Sequence, residues 1–242
     1  GDALTSGSFN VAIGTKALSA EDAHGKNVAI GYNTLYAQDA GADGNNVAVG
    51  YNAGLSVTTG VYNTLVGGAA GDALTTGAYN VVMGTHALSS EDTGSRNVAI
   101  GQGALQSLNY DGNGYNVAVG HLAGNAVSTG VENVFIGGLA GDAITTASAN
   151  VAIGYSALST EDTMGANVAV GYKALQDLNS GANGHNTGVG NEAGRRISTG
   201  VENTAIGSLA LDHLTSGSSN TAVGFQALST EDTHGRNVAV GH

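Results

Sequence analysis

The sequence predicts an all-β chain wound as a parallel β-solenoid of about fourteen coils. Three observations predict it. A five-residue phrase, Asn-Val-Ala-Ile-Gly at residues 10–14, returns in varied form until it has been written fourteen times in 242 residues. The intervals between copies follow a repeating quartet of 17, 19, 17 and 17 residues. Inside each phrase β-branched residues alternate and a glycine closes it, while no stretch between glycines has the length and 3.6-residue period of a helix. Periods this short and regular belong to architectures in which each repeat is one turn stacked on the next.

Each coil begins with an asparagine, at Asn10, Asn27, Asn46, Asn63, Asn80, Asn97, Asn116, Asn133, Asn150, Asn167, Asn186, Asn203, Asn220 and Asn237. One polar residue repeated in register predicts a ladder of side-chain amides along an edge of the solenoid. The next position is β-branched in every copy: Val in ten, and Thr at Thr64, Thr187, Thr204 and Thr221. Two residues later stands Ile or Val, with Met83 the exception, and then Gly in all fourteen. This predicts a short strand and a sharp corner. Ala follows three residues beyond that Gly in twelve of thirteen coils, Thr34 being the exception. The next residue is either Leu or Gly, and a large apolar residue three positions further on (Val57, Leu74, Val127, Ile144, Ile197, Leu214) refills the core. A polar return loop such as Ser-Ala-Glu-Asp-Ala-His-Gly-Lys completes the turn. Coils rising about 4.8 Å each would build a rod of roughly 65 Å.

The middle residue of the phrase is Ala12, Ala29, Ala48, Leu65, Val82, Ala99, Ala118, Phe135, Ala152, Ala169, Gly188, Ala205, Ala222 or Ala239. None is polar. Taking the two β-branched neighbours as the residues that face the tube, this position points outward, and a small-residue apolar stripe is expected on the outer surface. Such a stripe calls for a covering surface, so it is assigned to contacts between chains.

The four-coil quartet defines a 70-residue super-repeat: 1–70, 71–140, 141–210 and the partial 211–242, marked by Gly-Asp-Ala-Leu-Thr at residues 1 and 71, Gly-Asp-Ala-Ile-Thr at 141 and Leu-Asp-His-Leu-Thr at 211. One continuous solenoid over 1–242, a slice of a longer array, is the expected organisation. With 41% apolar residues, disorder is excluded as a reading. A formal charge of −12 with only seven Lys or Arg argues against nucleic acid. The absence of cysteine removes disulfides and thiolate metal sites. No apolar run reaches the ~20 residues of a membrane span.

Chemistry is sparsely signalled, and no catalytic residue, cofactor or metal is expected. The acidic pairs Glu21–Asp22, Glu91–Asp92, Glu161–Asp162 and Glu231–Asp232 recur once per super-repeat, too far apart along the solenoid to share an ion. They read as solvated loops neutralised locally by Lys26, Arg96 and Arg236. Gly-Gly-Ala-Ala-Gly-Asp-Ala-Leu-Thr, residues 67–75, approaches a calcium-binding nonapeptide, but it does not recur on the next coil. The histidines His24, His86, His121, His185, His213, His234 and His242 form no repeated column. The 19-residue coils carry the longest loops; Tyr36, Tyr110, Tyr115, Asp39, Asp43 and Asp111 are the residues there suited to contact a ligand.

The Asn-Val-Ala-Ile-Gly run, the glycine turn after it and the Ala three residues on resemble the YadA-like head repeats of trimeric autotransporter adhesins, and similar repeats in phage tail fibres. The likeness covers the entire chain, although the Ser usual between Asn and Val in that family is absent and the coils here are longer. It implies a left-handed β-roll, a homotrimer, and adhesion to host cells or matrix. The expected function is therefore a non-enzymatic extracellular or cell-surface fibre segment that gives length and presents loops, self-associating and able to stack end to end. A phage tail-fibre shaft is the alternative, and an ice- or calcium-binding solenoid ranks below both.

Overall fold

A computed structural model describes the chain except residues 1–3, 22, 161–162, 164 and 182. The chain divides into two compact units, Gly1–His121 and Leu122–His242. Each is a parallel β-solenoid, and all the described regular structure is β. The first unit holds β1 (Val11–Ile13), β2 (Val28–Ile30), β3 (Val47–Val49), β4 (Thr64–Val66), β5 (Val81–Met83), β6 (Val98–Ile100) and β7 (Val117–Val119). The second holds β8 (Val134–Ile136), β9 (Val151–Ile153), β10 (Val168–Val170), β11 (Thr187–Val189), β12 (Thr204–Ile206), β13 (Thr221–Val223) and β14 (Val238–Val240). Within each unit every strand pairs in parallel with the next, and equivalent residues face each other, as in Val81↔Val98 and Val151↔Val168.

Register is fixed by what lies before and after each strand. Upstream, the asparagine carbonyl accepts the N–H that opens the preceding strand, as from Val81 to Asn97 at 2.9 Å and from Val151 to Asn167 at 2.9 Å. Downstream, the closing glycine adopts φ between +123° and +143°. A side chain at Gly31 would overlap the carbonyl of Gly50 on the next coil, so successive backbones approach too closely there for any other residue.

Hydrogen bonding between coils continues outside the strands. Leu88 N–H reaches Ala104 O at 3.0 Å and Leu158 N–H reaches Ala174 O at 3.0 Å. This pairing satisfies backbone groups that a three-residue strand alone would leave bare. The corner after each strand also carries residues at positive φ that are not glycine, among them a column of leucines: Leu18, Leu35, Leu88, Leu105, Leu158, Leu175, Leu211 and Leu228. A leucine held there costs about 1–2 kcal/mol of backbone strain. Seven of these leucines are fully or almost fully shielded, Leu18 and Leu88 among them, and burying such a side chain gains about 1.5–3 kcal/mol.

The core lies inside each coil, and its composition inverts the expectation for the strands. The middle residue points in. Ala29, Ala48, Leu65, Val82, Ala99, Ala118, Phe135, Ala152, Ala169, Ala205 and Ala222 are wholly shielded by their own chain, and Gly188 is buried with them. Ala12 in β1 is exposed and Ala239 in β14 half-buried. The outward small-residue stripe is thus corrected to an inward column, and the β-branched neighbours take the outside. The cause is the two-residue period of a strand. Asparagine and the middle residue are two apart and share a face, and the asparagine side chains from Asn27 to Asn220 are buried.

Candidate assembly interface

The inward column explains the outward one. With Ala, Leu and Asn filling the interior, the two β-branched residues of each strand stand on the outer surface. In the first unit they form two adjacent rows, Val11, Val28, Val47, Thr64, Val81, Val98, Val117 and Ile13, Ile30, Val49, Val66, Met83, Ile100, Val119. The second unit repeats the pattern with more threonine, at Thr187, Thr204 and Thr221. Ile13 is 58% exposed, Met83 41%, Ile136 39% and Ile206 40%. No charge and no amide interrupts either row. A straight, in-register apolar surface of this kind is what a soluble protein ordinarily covers. The apolar rows on the outer surface are therefore the valines and isoleucines, not the alanines.

The asparagines give the face its rigidity. Within each unit the side-chain carbonyl accepts the backbone N–H of the next asparagine, as from Asn63 to Asn46 at 2.8 Å, Asn97 to Asn80 at 3.0 Å and Asn203 to Asn186 at 2.9 Å. Many of the side-chain amides donate to the carbonyl fourteen residues on, as Asn63 does to Gly77 at 2.8 Å and Asn133 to Ala147 at 2.9 Å, whereas Asn97 and Asn167 donate two residues back, to Ser95 at 3.3 Å and Gly165 at 3.2 Å. Links between neighbouring side chains also occur, such as Asn220 Nδ2 to Asn203 Oδ1 at 3.1 Å. The ladder is thus chiefly side chain to backbone, and it ties strand, next strand and return loop at one buried point.

Aromatic residues flank the outer rows. Tyr32 and Tyr51 stack with ring centres 5.5 Å apart, Tyr62 and Tyr79 at 5.0 Å, and Tyr155 and Tyr172 at 5.8 Å. Arg96 lies over Tyr79 at 5.4 Å and over Tyr115 at 5.8 Å, continuing the Tyr62–Tyr79 stack along four coils. Because the rings cover one another's faces, they stiffen the surface and leave mainly edges to meet a partner. The position before Asn that carries this stack gave no signal as a column in the sequence, since its residue types vary from coil to coil.

The loops behave differently from their sequence reading. Lys26 pairs with Asp43 of the following coil at 2.8 Å; the local partner expected for it, Asp22, lies outside the described residues, as do Glu161 and Asp162. The Lys26 ammonium holds the Asp43 carboxyl below the usual carboxylate range, and Asp43 raises Lys26 in return. Arg96 stacks on tyrosines. Glu91 is fully buried. Its carboxylate accepts N–H bonds from Gly94 at 2.7 Å, Asp92 at 3.1 Å and Tyr110 at 3.2 Å. Burial still pushes its pKa up, more than these bonds lower it. Burial likewise raises Asp72, in the nonapeptide-like stretch, and its counterpart Asp142. Tyr36, Tyr110 and Tyr115 are exposed, and Asp111 accepts the Thr93 hydroxyl at 2.7 Å. Among the described residues histidine meets carboxylate at Glu21–His24, Asp212–His213 and Glu231–His234.

Among the described residues no helix is long and apolar enough to cross a membrane. No family model, curated protein or solved structure matches the chain.

Proposed function

We propose that this chain is a non-enzymatic structural segment of an extracellular or virion fibre, whose outer strand face packs against identical faces of further copies, three in all. The observation that carries the reading is the double row of Val, Ile and Thr, with one Met at Met83, on the outside of each unit. Several features favour a second copy over an unrelated partner. The face repeats in register at the strand spacing of about 4.8 Å and presents apolar groups and threonine hydroxyls, so an identical ladder matches it row for row. The negative charge is carried by loops and corners, leaving the strand faces free to approach. The trimer and the adhesive role follow from the resemblance to autotransporter head repeats, with the aromatic-flanked loops as the presented surface. A phage tail-fibre shaft would use the same design.

Sedimentation equilibrium tests this reading. The account predicts a particle of three times the 23.7 kDa chain mass. In Val98→Lys, which places a charge in the middle of the outer row of the first unit, it predicts dissociation to folded single chains with unchanged circular dichroism. A parent protein that sediments at the single-chain mass up to high concentration would refute the assembly.

A further inference from the structure

We propose that Glu21, His24 and Asp39 form a binding site for a zinc-like first-row divalent cation. They would act as a clip between the return loops of two consecutive coils. One ligand atom from each of the three lies within 4.8 Å of one atom of each other residue. Glu21 and His24 sit three residues apart on one loop, and Asp39 comes from the loop of the next coil.

The second observation is an unmet valence. Glu21 is completely buried. Its Oε1 accepts the His24 N–H at 2.9 Å, while Oε2 has no hydrogen-bond partner among the described residues. The His24 Nδ1, also buried, has none either and stands 3.5 Å from Glu21 Oε1. A buried carboxylate oxygen and a buried ring nitrogen beside it, both unpaired, cost free energy that a cation between them removes.

The equivalent loop one super-repeat later shows what an apo arrangement looks like. There Gly94 and Asn109 replace His24 and Asp39. Both oxygens of Glu91 are taken by backbone N–H groups, from Gly94 and Asp92 on Oε1 and from Tyr110 on Oε2. Where the extra ligands are missing, the protein itself satisfies the glutamate; where they are present, one oxygen is left open.

The donor set selects the ion. One imidazole and two carboxylates suit zinc and its neighbours, with a fourth position open to water on the exposed Asp39 side. Calcium and magnesium, which take oxygen ligands, gain nothing from His24. Metal–ligand bonds of about 2.0–2.2 Å put tetrahedral ligands roughly 3.3 Å apart, so closure needs a shift of at most about 1.5 Å, within reach of the exposed Asp39 side chain. The site lies in one chain and does not depend on assembly.

Calorimetric titration of the chelator-treated full-length chain with zinc chloride tests the proposal. One zinc per chain is expected, with binding weakened about tenfold or more in both His24→Ala and Asp39→Asn, and unchanged in His234→Ala, which removes the exposed Glu231–His234 pair. Calcium chloride should give no heat of binding at this site. The proposal is overturned if the parent binds no zinc, if either His24→Ala or Asp39→Asn binds as the parent does, or if His234→Ala loses the same zinc.

Discussion

Two coils, one in each unit and 140 residues apart in the repeat, fill the same interior by opposite means. In the first, β4 supplies Leu65 and the corner six residues on supplies Gly71. In the second, β12 supplies Ala205 and the corner supplies Leu211. The backbone is the same at both corners, with φ of +54° at Gly71 and +53° at Leu211. A side chain added at Gly71 would come within 3.0 Å of the Leu65 methyl Cδ2. The copy between them, Phe135 with Gly141, takes the first solution further, since a side chain at Gly141 would overlap the phenylalanine ring. What is held constant is the volume inside the coil. Neither wall is specified alone.

The largest expected effect comes from breaking that balance. Phe135→Ala should cost about 3–5 kcal/mol of stability in urea denaturation, because Gly141 offers nothing to fill the space. Adding Gly141→Leu to Phe135→Ala recreates the Ala205–Leu211 solution and should recover a substantial part of the loss, less the strain of leucine at positive φ. Gly141→Leu alone should destabilise, by about 1–3 kcal/mol from overpacking against Phe135 in addition to that strain. A double variant no more stable than Phe135→Ala would show that the two walls are not coupled.

The asparagines of the same two coils sharpen the contrast, since they have no interchangeable partner. Asn63 donates to Gly77 at 2.8 Å and Asn203 to Gly217 at 2.9 Å, and each accepts the N–H of the next asparagine. Asn203→Leu keeps the volume but leaves the Gly217 carbonyl and the Asn220 N–H unpaired. A loss of about 1–3 kcal/mol for each such group is expected in the same denaturation experiment, however well the leucine packs.

The smallest effect is electrostatic. Glu91, Asp72 and Asp142 have folded-state pKa values raised by burial. For raised carboxylates the folded state binds protons more readily than the unfolded chain, so their contribution is fully present below the unfolded values near pH 4 and falls as pH rises through the raised ones. The thermal midpoint should therefore rise as pH is lowered from neutral towards the unfolded values near pH 4, and Glu91→Gln should flatten that slope. The lowered groups Asp43 and Glu231 oppose this only at more acid pH, as they become protonated. A midpoint that falls steadily over that whole interval would contradict this assignment.

These coils also show what was legible in the sequence and what was not. The strand, its boundaries at Asn and Gly, and the parallel stacking follow from columns that never vary, because each backs onto its own copy in the next coil. The face of the strand does not follow from column statistics. Small residues at Ala29 or Ala99 fit an outer contact and an inner wall equally well, and β-branched residues suit either side of a pleat. Two signals in the sequence do decide it. Asn27 and Ala29 are two residues apart, so a buried asparagine carries the alanine inside. The exchange of Leu65–Gly71 for Ala205–Leu211 also makes sense only if both residues share one interior. The candidate cation site was hidden for another reason: Asp39 stands out in the sequence only as a loop residue suited to contact a ligand, and no repeated column brings it beside Glu21 and His24 of the preceding coil.

Single-cysteine labelling addresses the strand assignment most directly, since the chain has no cysteine of its own. Ala99→Cys and Val98→Cys are neighbours on β6, one inside and one outside. The account predicts that the thiol at 99 stays unreactive at every protein concentration until the chain is denatured. The thiol at 98 should react in dilute solution and become protected as concentration rises and copies associate. Rapid labelling at 99 in the folded protein, with 98 shielded in the dilute single chain, would reverse the two faces and contradict the account.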